Sequence, residues 1–330
     1  MVSGSYKNTC LNFAVILMIC ITASYSIVYS NIENFPDILS SGNADVRIYL
    51  DMYEGRPVER CECCRILTPF LAKLLPDFPM SFFSKSRKAS DNYWMARIKF
   101  GVINLCFLIA TGVLLFYFLK NYGFNILESI IGSLMFYSAR PVIQQAGDPM
   151  VDASAYFFLI LCLYAIQREY ILMFLIGFFF GLLSKESIFL ALFALIFSNK
   201  KSKLKIVVLT LPLIVAYLFF RHALVKSECY LEMNYILAAK EQLYNLARLN
   251  TALDLFSSFG LLWIPAIFGL KYQKLPQELY HWALSIPFLL FIILFFELNL
   301  GRALFMAFPV VIPLALFGLR YFWEDNKNNF

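Results

Sequence analysis

The chain has 330 residues, 60% of them hydrophobic and 15% charged, with a mean hydropathy of +0.68 and a formal charge of +6. A soluble domain cannot bury that share of apolar side chains, whereas membrane spans of roughly 20 apolar residues each can absorb it. A soluble enzyme, a DNA-binding protein and a disordered regulator are thereby excluded.

Apolar runs broken by charge, Pro or Gly predict an all-α polytopic membrane protein of about ten spans. In chain order the runs are Leu11 to Tyr29, Ile98 to Phe118, Phe124 to Ala139, Val151 to Ile166 and Tyr170 to Leu183. Ser187 to Phe197, Leu204 to Phe220, Thr251 to Leu270, Leu279 to Phe296 and Arg302 to Phe322 complete the set. The first run resembles a signal peptide in position, but its length and the lack of a small-x-small cleavage site favour an anchor. The fifth and sixth are short. Fusing them gives an overlong helix with Lys185 and Glu186 in its middle, and moves the Lys200, Lys201, Lys203 and Lys205 cluster to the outer face. A hairpin with its tip at Ser184 to Ser187 keeps that cluster inside, as the positive-inside rule demands. Both termini are then cytoplasmic. The expected organisation is one transmembrane domain over 1–330 with no soluble C-terminal domain.

Residues 30–97 form a large first outer loop with two short helices expected in it. Asn43 to Glu54 carries Val46, Tyr49, Leu50 and Tyr53 at helical spacing, with Asn43 as N-cap and Asp45 in the first turn. A second helix has Thr68 as cap, Pro69 at its first position and an apolar face of Phe70, Leu71, Leu74 and Leu75, so both helices suit the membrane surface. Further on, Arg140-Pro141 ends the third span and Asp148-Pro149 has the pattern of an N-cap starting the fourth, with Asp152 one turn further in. Thr251 and Asp254 have capping-box-like spacing at the start of the eighth. Asp45, Arg65, Asp148, Asp152, Lys185, Glu186 and Arg302 thus come from separate loops on one membrane face, the pattern of a site assembled on a helical scaffold.

Several of these residues carry a resemblance. Asn43-Ala44-Asp45 with Tyr49, Gly55-Arg56-Pro57, Arg65 to Pro69, Lys185-Glu186 after an apolar run, and Gly301-Arg302 opening the last span occur in this order and on one side. The series resembles polytopic glycosyltransferases of the GT-C superfamily, of the family 39 type. The resemblance implies a polyprenyl-phosphate-linked sugar donor, a lipid, glycan or protein acceptor, and an extracytoplasmic site in a prokaryotic plasma membrane. Asp45 matches the family's acidic position in the first large loop, and Asp148 or Asp152 matches a second acidic position.

For such a transfer, Asp45 is the expected catalytic carboxylate, taking the acceptor proton. Arg65, Lys185 and Arg302 are placed to neutralise phosphate charge, with Tyr49, Asp148, Asp152 and Glu186 completing the expected substrate-binding set. Bland alternatives stand beside these roles. Asp45 also reads as a helix-start carboxylate, Asp148 as a plain N-cap, Lys185-Glu186 as a polar hairpin tip and Arg302 as an interfacial anchor. Arg65 lies among Arg56, Glu59, Arg60 and Glu62, where surface ion pairing is the simple reading. The sequence points to no definite cofactor, although Asp45 with Asp148 or Asp152 can hold a divalent metal if the loops converge. Cys61, Cys63, Cys64 and Cys229 fall outside, with disulfide or metal roles open. No Gly-rich phosphate loop is present, and nucleic acid is not an expected partner. A transporter or lipid flippase, and a non-catalytic scaffold of the same architecture, are the competing classes.

Overall fold

The computed structural model describes residues 3–34, 44–56, 58, 64–78, 91–198, 200, 202–224, 249–284, 286–287 and 300–328. Every regular element among them is helical. The helices are α1 (Ser3–Asn34), α2 (Ala44–Glu54), α3 (Leu67–Leu74), α4 (Asp91–Asn121), α5 (Ile126–Tyr137), α6 (Arg140–Gln145), α7 (Asp152–Arg168) and α8 (Ile171–Ser184). They continue as α9 (Phe189–Ile196), α10 (Lys203–Leu224), α11 (Leu249–Ser257), α12 (Trp263–Gly269), α13 (Gln277–Leu284), α14 (Leu300–Leu304) and α15 (Phe308–Asn328).

Among the described residues, four stretches are long and apolar enough to cross a membrane: Leu11–Glu33, Tyr93–Asn121, Lys203–Ala223 and Gly301–Glu324. The last is the centre of the bundle, with 89% of its most apolar window buried, against 17% for Lys203–Ala223 and 22% for Leu11–Glu33. An apolar helix that is buried all round is packed by protein, whereas α1 and α10 leave most of their apolar side chains uncovered by it. The other apolar helices are shorter. α5 has 12 residues and α8 has 14, about 18 and 21 Å of helix.

The chain nevertheless runs back and forth between two ends of the bundle. Asn121 at the end of α4 donates to Gln167 at the end of α7 (3.0 Å), and Lys200 after α9 donates to the Gln167 carbonyl (2.9 Å). Arg320 in α15 and Glu128 in α5 meet at that same end. At the opposite end lie Asn31, Arg97, Asp152 and Arg302, the last pair meeting across 150 residues of chain. Lys185 is extended (φ −161°, ψ 141°) and breaks α8 from the 3-10 turn Glu186–Ile188 and α9. The chain after α9 returns to the end where α8 began, so 170–197 is a hairpin with its tip at Lys185-Glu186.

Several expected boundaries shift. The third run ends at Tyr137, and Arg140-Pro141 opens the separate helix α6, because Pro fits a first turn that has no use for its missing N–H. Asp148 does not cap the fourth span, since α7 starts at Asp152 with Val151 as its N-cap. Thr68 does not cap α3 either; Ile66 precedes the helix and Thr68 sits within it. The eighth run is interrupted between α11 and α12 by a 3-10 turn at Gly260–Leu262, where Gly260 takes φ +53°. Thr251 and Asp254 lie inside α11 rather than at a helix start. Asn43, the expected cap of α2, and the remainder of the ninth run fall outside the described residues, as do Cys61, Cys63 and Cys229.

α2 does not rest on its apolar face at a membrane surface. Val46, Tyr49 and Leu50 are buried against Tyr93, Phe100, Met150 and Val151. α3 buries Leu67, Thr68, Pro69 and Ala72 and leaves Phe70 and Leu74 exposed. The tightest helix contact is between α12 and α15. A Cβ on Gly318 would collide with the Pro265 carbonyl, and one on Gly269 with the Leu314 carbonyl, so glycine at both positions permits backbone-to-backbone packing.

Candidate functional site

At the end of the bundle that holds the hairpin tip, charged side chains from six elements meet. Asp152 opens α7 and its side chain is only 2% exposed. The Arg302 Nε donates to Asp152 Oδ1 at 3.0 Å and Nη2 donates to Oδ2, while Lys185 Nζ donates to the same Oδ1 at 3.1 Å. Two cations thus neutralise one buried carboxylate, the arrangement that burial of an ion requires. The Arg302 Nη1 reaches on to Asp45 Oδ2 at 2.6 Å, so the guanidinium spans carboxylates of α2 and α7.

A second half adjoins the first through Tyr49. Arg65 donates from Nη1 to the Tyr49 hydroxyl (3.1 Å) and from Nε to Glu186 Oε2 (2.8 Å). Glu186 Oε1 accepts from the Tyr217 hydroxyl (3.3 Å) and from Arg221 Nη1 (3.5 Å), both on α10. Burial pushes the Glu186 carboxyl up, and the Arg65 and Arg221 charges overturn that and hold it below its ordinary range. Burial likewise pushes the Tyr49 phenol up to about 12 against the pull of Arg65 and Arg302, so at neutral pH it stays a proton donor.

The backbone beneath this network is fixed by hydroxyls and rings. Ser154 donates to the Val151 carbonyl at 2.7 Å, and the Thr68 and Ser184 hydroxyls lie 2.8 and 2.5 Å from the Ser154 oxygen. Ser184 also lies 3.5 Å from the Val151 carbonyl as a donor. This knot ties α3, α7 and α8 beside Asp152 and Lys185. Below it, one turn along from Asp152 and from Arg302, Tyr156 and Phe305 meet edge to face at 5.3 Å, with Phe136 and Phe308 packed around them. This aromatic floor keeps water from the deep side, which strengthens every charge interaction above it.

Beside the second half, an apolar groove of about 300 Å³ runs between α8 and α10, lined by Ile66, Phe179, Leu182, Leu183, Ala216, Tyr217 and Phe220. Ile66 follows Arg65 in the chain, and Tyr217 belongs to both the groove and the Glu186 cluster.

Seven of the eight residues expected from the sequence are in this network: Asp45, Tyr49, Arg65, Asp152, Lys185, Glu186 and Arg302. Asp148 is not. It sits between α6 and α7 with Arg97, whose Nη2 lies 3.2 Å from Asp148 Oδ1 and donates to the Asn31 carbonyl at 3.2 Å. Arg97 is fully buried and lies over the Trp94 ring at 5.5 Å. Burial pushes the Asp148 carboxyl up to about 6, with Arg97 pulling the other way. Asp148 therefore ties α1 and α4 to the start of α7.

The condition for a divalent site, convergence of Asp45 with Asp148 or Asp152 as free ligands, is not met among the described residues. Asp148 belongs to the Arg97 cluster, and both Asp152 oxygens face Arg302 or Lys185. Among the described residues no group of three or more His, Cys, Asp or Glu gathers as a metal site. The sequence reading missed Tyr217 and Arg221, although their i, i+4 spacing at the outer end of an apolar helix places them on one face. It missed Arg97 for a different reason, since a lone arginine opening an apolar run reads as an interfacial anchor. Arg65 pairs across the fold with Glu186, and Arg56 meets Asp51 and Glu54 at the surface, while Glu59, Arg60 and Glu62 lie outside the described residues. No family model, curated protein or solved structure matches this chain.

Proposed function

We propose that the protein is an integral-membrane glycosyltransferase of the GT-C type, moving a sugar from a polyprenyl phosphate to a hydroxyl acceptor on the extracytoplasmic face. In this reading the runs of helix between the two ends of the bundle make ten crossings of a prokaryotic plasma membrane, and both termini are cytoplasmic. The observation that carries the reading is the convergence of seven residues from separated loops on one buried, charged centre beside an apolar groove. Among the described residues, the cations Arg65, Lys185, Arg221 and Arg302 face the carboxylates Asp45, Asp152 and Glu186. Guanidinium and ammonium groups gathered in one place suit an anionic phosphate, and the groove suits the chain attached to it.

The roles follow from exposure. Asp45 is the most accessible of the three carboxylates, with its side chain 29% exposed against 24% for Glu186 and 2% for Asp152. It takes the proton of the acceptor hydroxyl as that oxygen bonds to the anomeric carbon. The bond from that carbon to the phosphate oxygen breaks, and polyprenyl phosphate leaves with the electron pair toward Arg65 and Arg221 at the head of the groove. Asp152 is too enclosed to meet substrate and holds Lys185 and Arg302 in place.

Native mass spectrometry of protein extracted in mild detergent tests the donor. A bound polyprenyl phosphate or its sugar adduct is the expected result, and the adduct mass identifies the sugar. A folded preparation that retains only bulk phospholipid, and takes up solute when placed in liposomes, overturns the transferase in favour of a transporter.

A further inference from the structure

We propose that Asp254, on α11, is a positioning residue that sets the register of the Gly301-Arg302 turn so that the Arg302 guanidinium spans Asp45 and Asp152. Its catalytic meaning rests on the transfer reading above, whereas its geometry does not. The Gly301 N–H donates to Asp254 Oδ2 at 2.8 Å. A Cβ on Gly301 would stand 2.5 Å from the Asp254 carbonyl oxygen and 2.9 Å from Oδ2, so α11 and α14 meet here without room for a side chain. Asp254 is itself held from behind. Arg140 at the start of α6 lies 3.5 Å from its Oδ1 and 2.7 Å from the Ser257 hydroxyl oxygen, and Ser257 donates to the Asp254 carbonyl at 2.9 Å.

The consequence falls on the next residue in the chain. Arg302 must reach two carboxylates on different helices with one rigid planar fork, and such a fork satisfies both only from a narrow range of Cα positions. A long arginine side chain does not choose that geometry by itself. The fixed backbone at Gly301 supplies it, and Asp254 fixes the backbone. Neither residue touches the Asp45 or Asp152 oxygens, so the effect is transmitted through Arg302.

The test is the reactivity of Arg302 toward phenylglyoxal in the full-length protein in detergent, read by peptide mass spectrometry. In the unaltered protein the Arg302 side chain is 10% exposed and reacts slowly. Asp254→Ala and Gly301→Ala are expected to speed Arg302 modification about tenfold, the weight of one charge-assisted hydrogen bond. Asp254→Asn keeps an oxygen acceptor for the Gly301 N–H and is expected to stay within about twofold of the unaltered protein. Arg320, at the other end of the bundle, is the internal control and should not change. Unchanged Arg302 reactivity in Asp254→Ala overturns the proposal. So does a parallel rise at Arg320, which would make Asp254 a general prop of the fold. No donor or acceptor is needed for this readout, so a protein that passes it and transfers no sugar keeps the latch while losing the proposed function.

Discussion

The stretch from Gly301 to Glu324 carries an arginine near each end, and the two ends use it differently. Arg320 closes on one carboxylate, Glu128, through Nε at 2.7 Å and Nη2 at 2.6 Å. Glu128 is already committed as half of a capping box with Asn125 at the start of α5, and both side chains of the ion pair are about a quarter exposed. Arg302 is more deeply buried and reaches carboxylates of two other helices, with Lys185 sharing one of them. A partly exposed pair plus a helix cap joins α5 to α15 at small cost. Burying several charges together is costly and is not needed to join helices. The comparison therefore separates an arginine that fastens two helices together from one that gathers carboxylates of two other helices into a buried centre.

The largest effect should come from Asp45→Asn. In a transfer assay with a polyprenyl-phosphate sugar, the rate is expected to fall by about two to four orders of magnitude. Thermal unfolding should change little, because Arg302 keeps Asp152. The matching change at the other end, Glu128→Gln, should leave transfer untouched, and equal losses at both ends would erase the distinction. Next in size is Asp152→Ala, which strands Lys185 and Arg302 without their shared partner and should cost roughly 3–5 kcal/mol in denaturant or thermal unfolding.

A smaller effect depends on pH. Asp148 has its carboxyl pushed from an ordinary value of 3.8 up to about 6, so the folded state binds more protons than the unfolded chain between those values. Stability from this group is therefore greatest at the low end and declines as pH rises through 6, by roughly 1–3 kcal/mol. Asp148→Asn should flatten that slope in unfolding midpoints measured across the window. Glu186, held below its ordinary range, acts in the opposite sense: its stabilisation is present above the ordinary carboxylate value and is lost as pH falls through its lowered one. The smallest change is Glu128→Gln itself, about 1 kcal/mol of stability, since only a cap and a partly exposed pair are weakened.

Much of the helical framework was legible in the sequence because apolar runs, charge clusters and Pro or Gly report local preference and transfer energy directly. The α2 helix and the break at Lys185 were read from spacing and charge, and both are present. Caps were read less well. Thr68 and Asp148 have capping chemistry but spend it across the fold, on Ser154 and Arg97. The box that does exist, Asn125 with Glu128, carries an Asn-x-x-Glu signature that lay in plain view before an apolar run.

By itself the sequence determined the class of the protein, an all-helical apolar chain, and which polar residues stand at the breaks between its apolar runs. Those properties belong to single segments, and a segment's hydropathy and turn chemistry do not depend on its neighbours in space. Only the tertiary structure decided which polar residues meet. Asp152 and Arg302 lie 150 positions apart and Asp45 and Arg302 lie 257 apart, so no local pattern links them. It also decided between two aspartates four residues apart, sending Asp152 to the charged centre and Asp148 to Arg97. The physical reason is that a buried carboxylate goes wherever packing brings a cation within reach, and that is a property of helix–helix contacts rather than of any one helix.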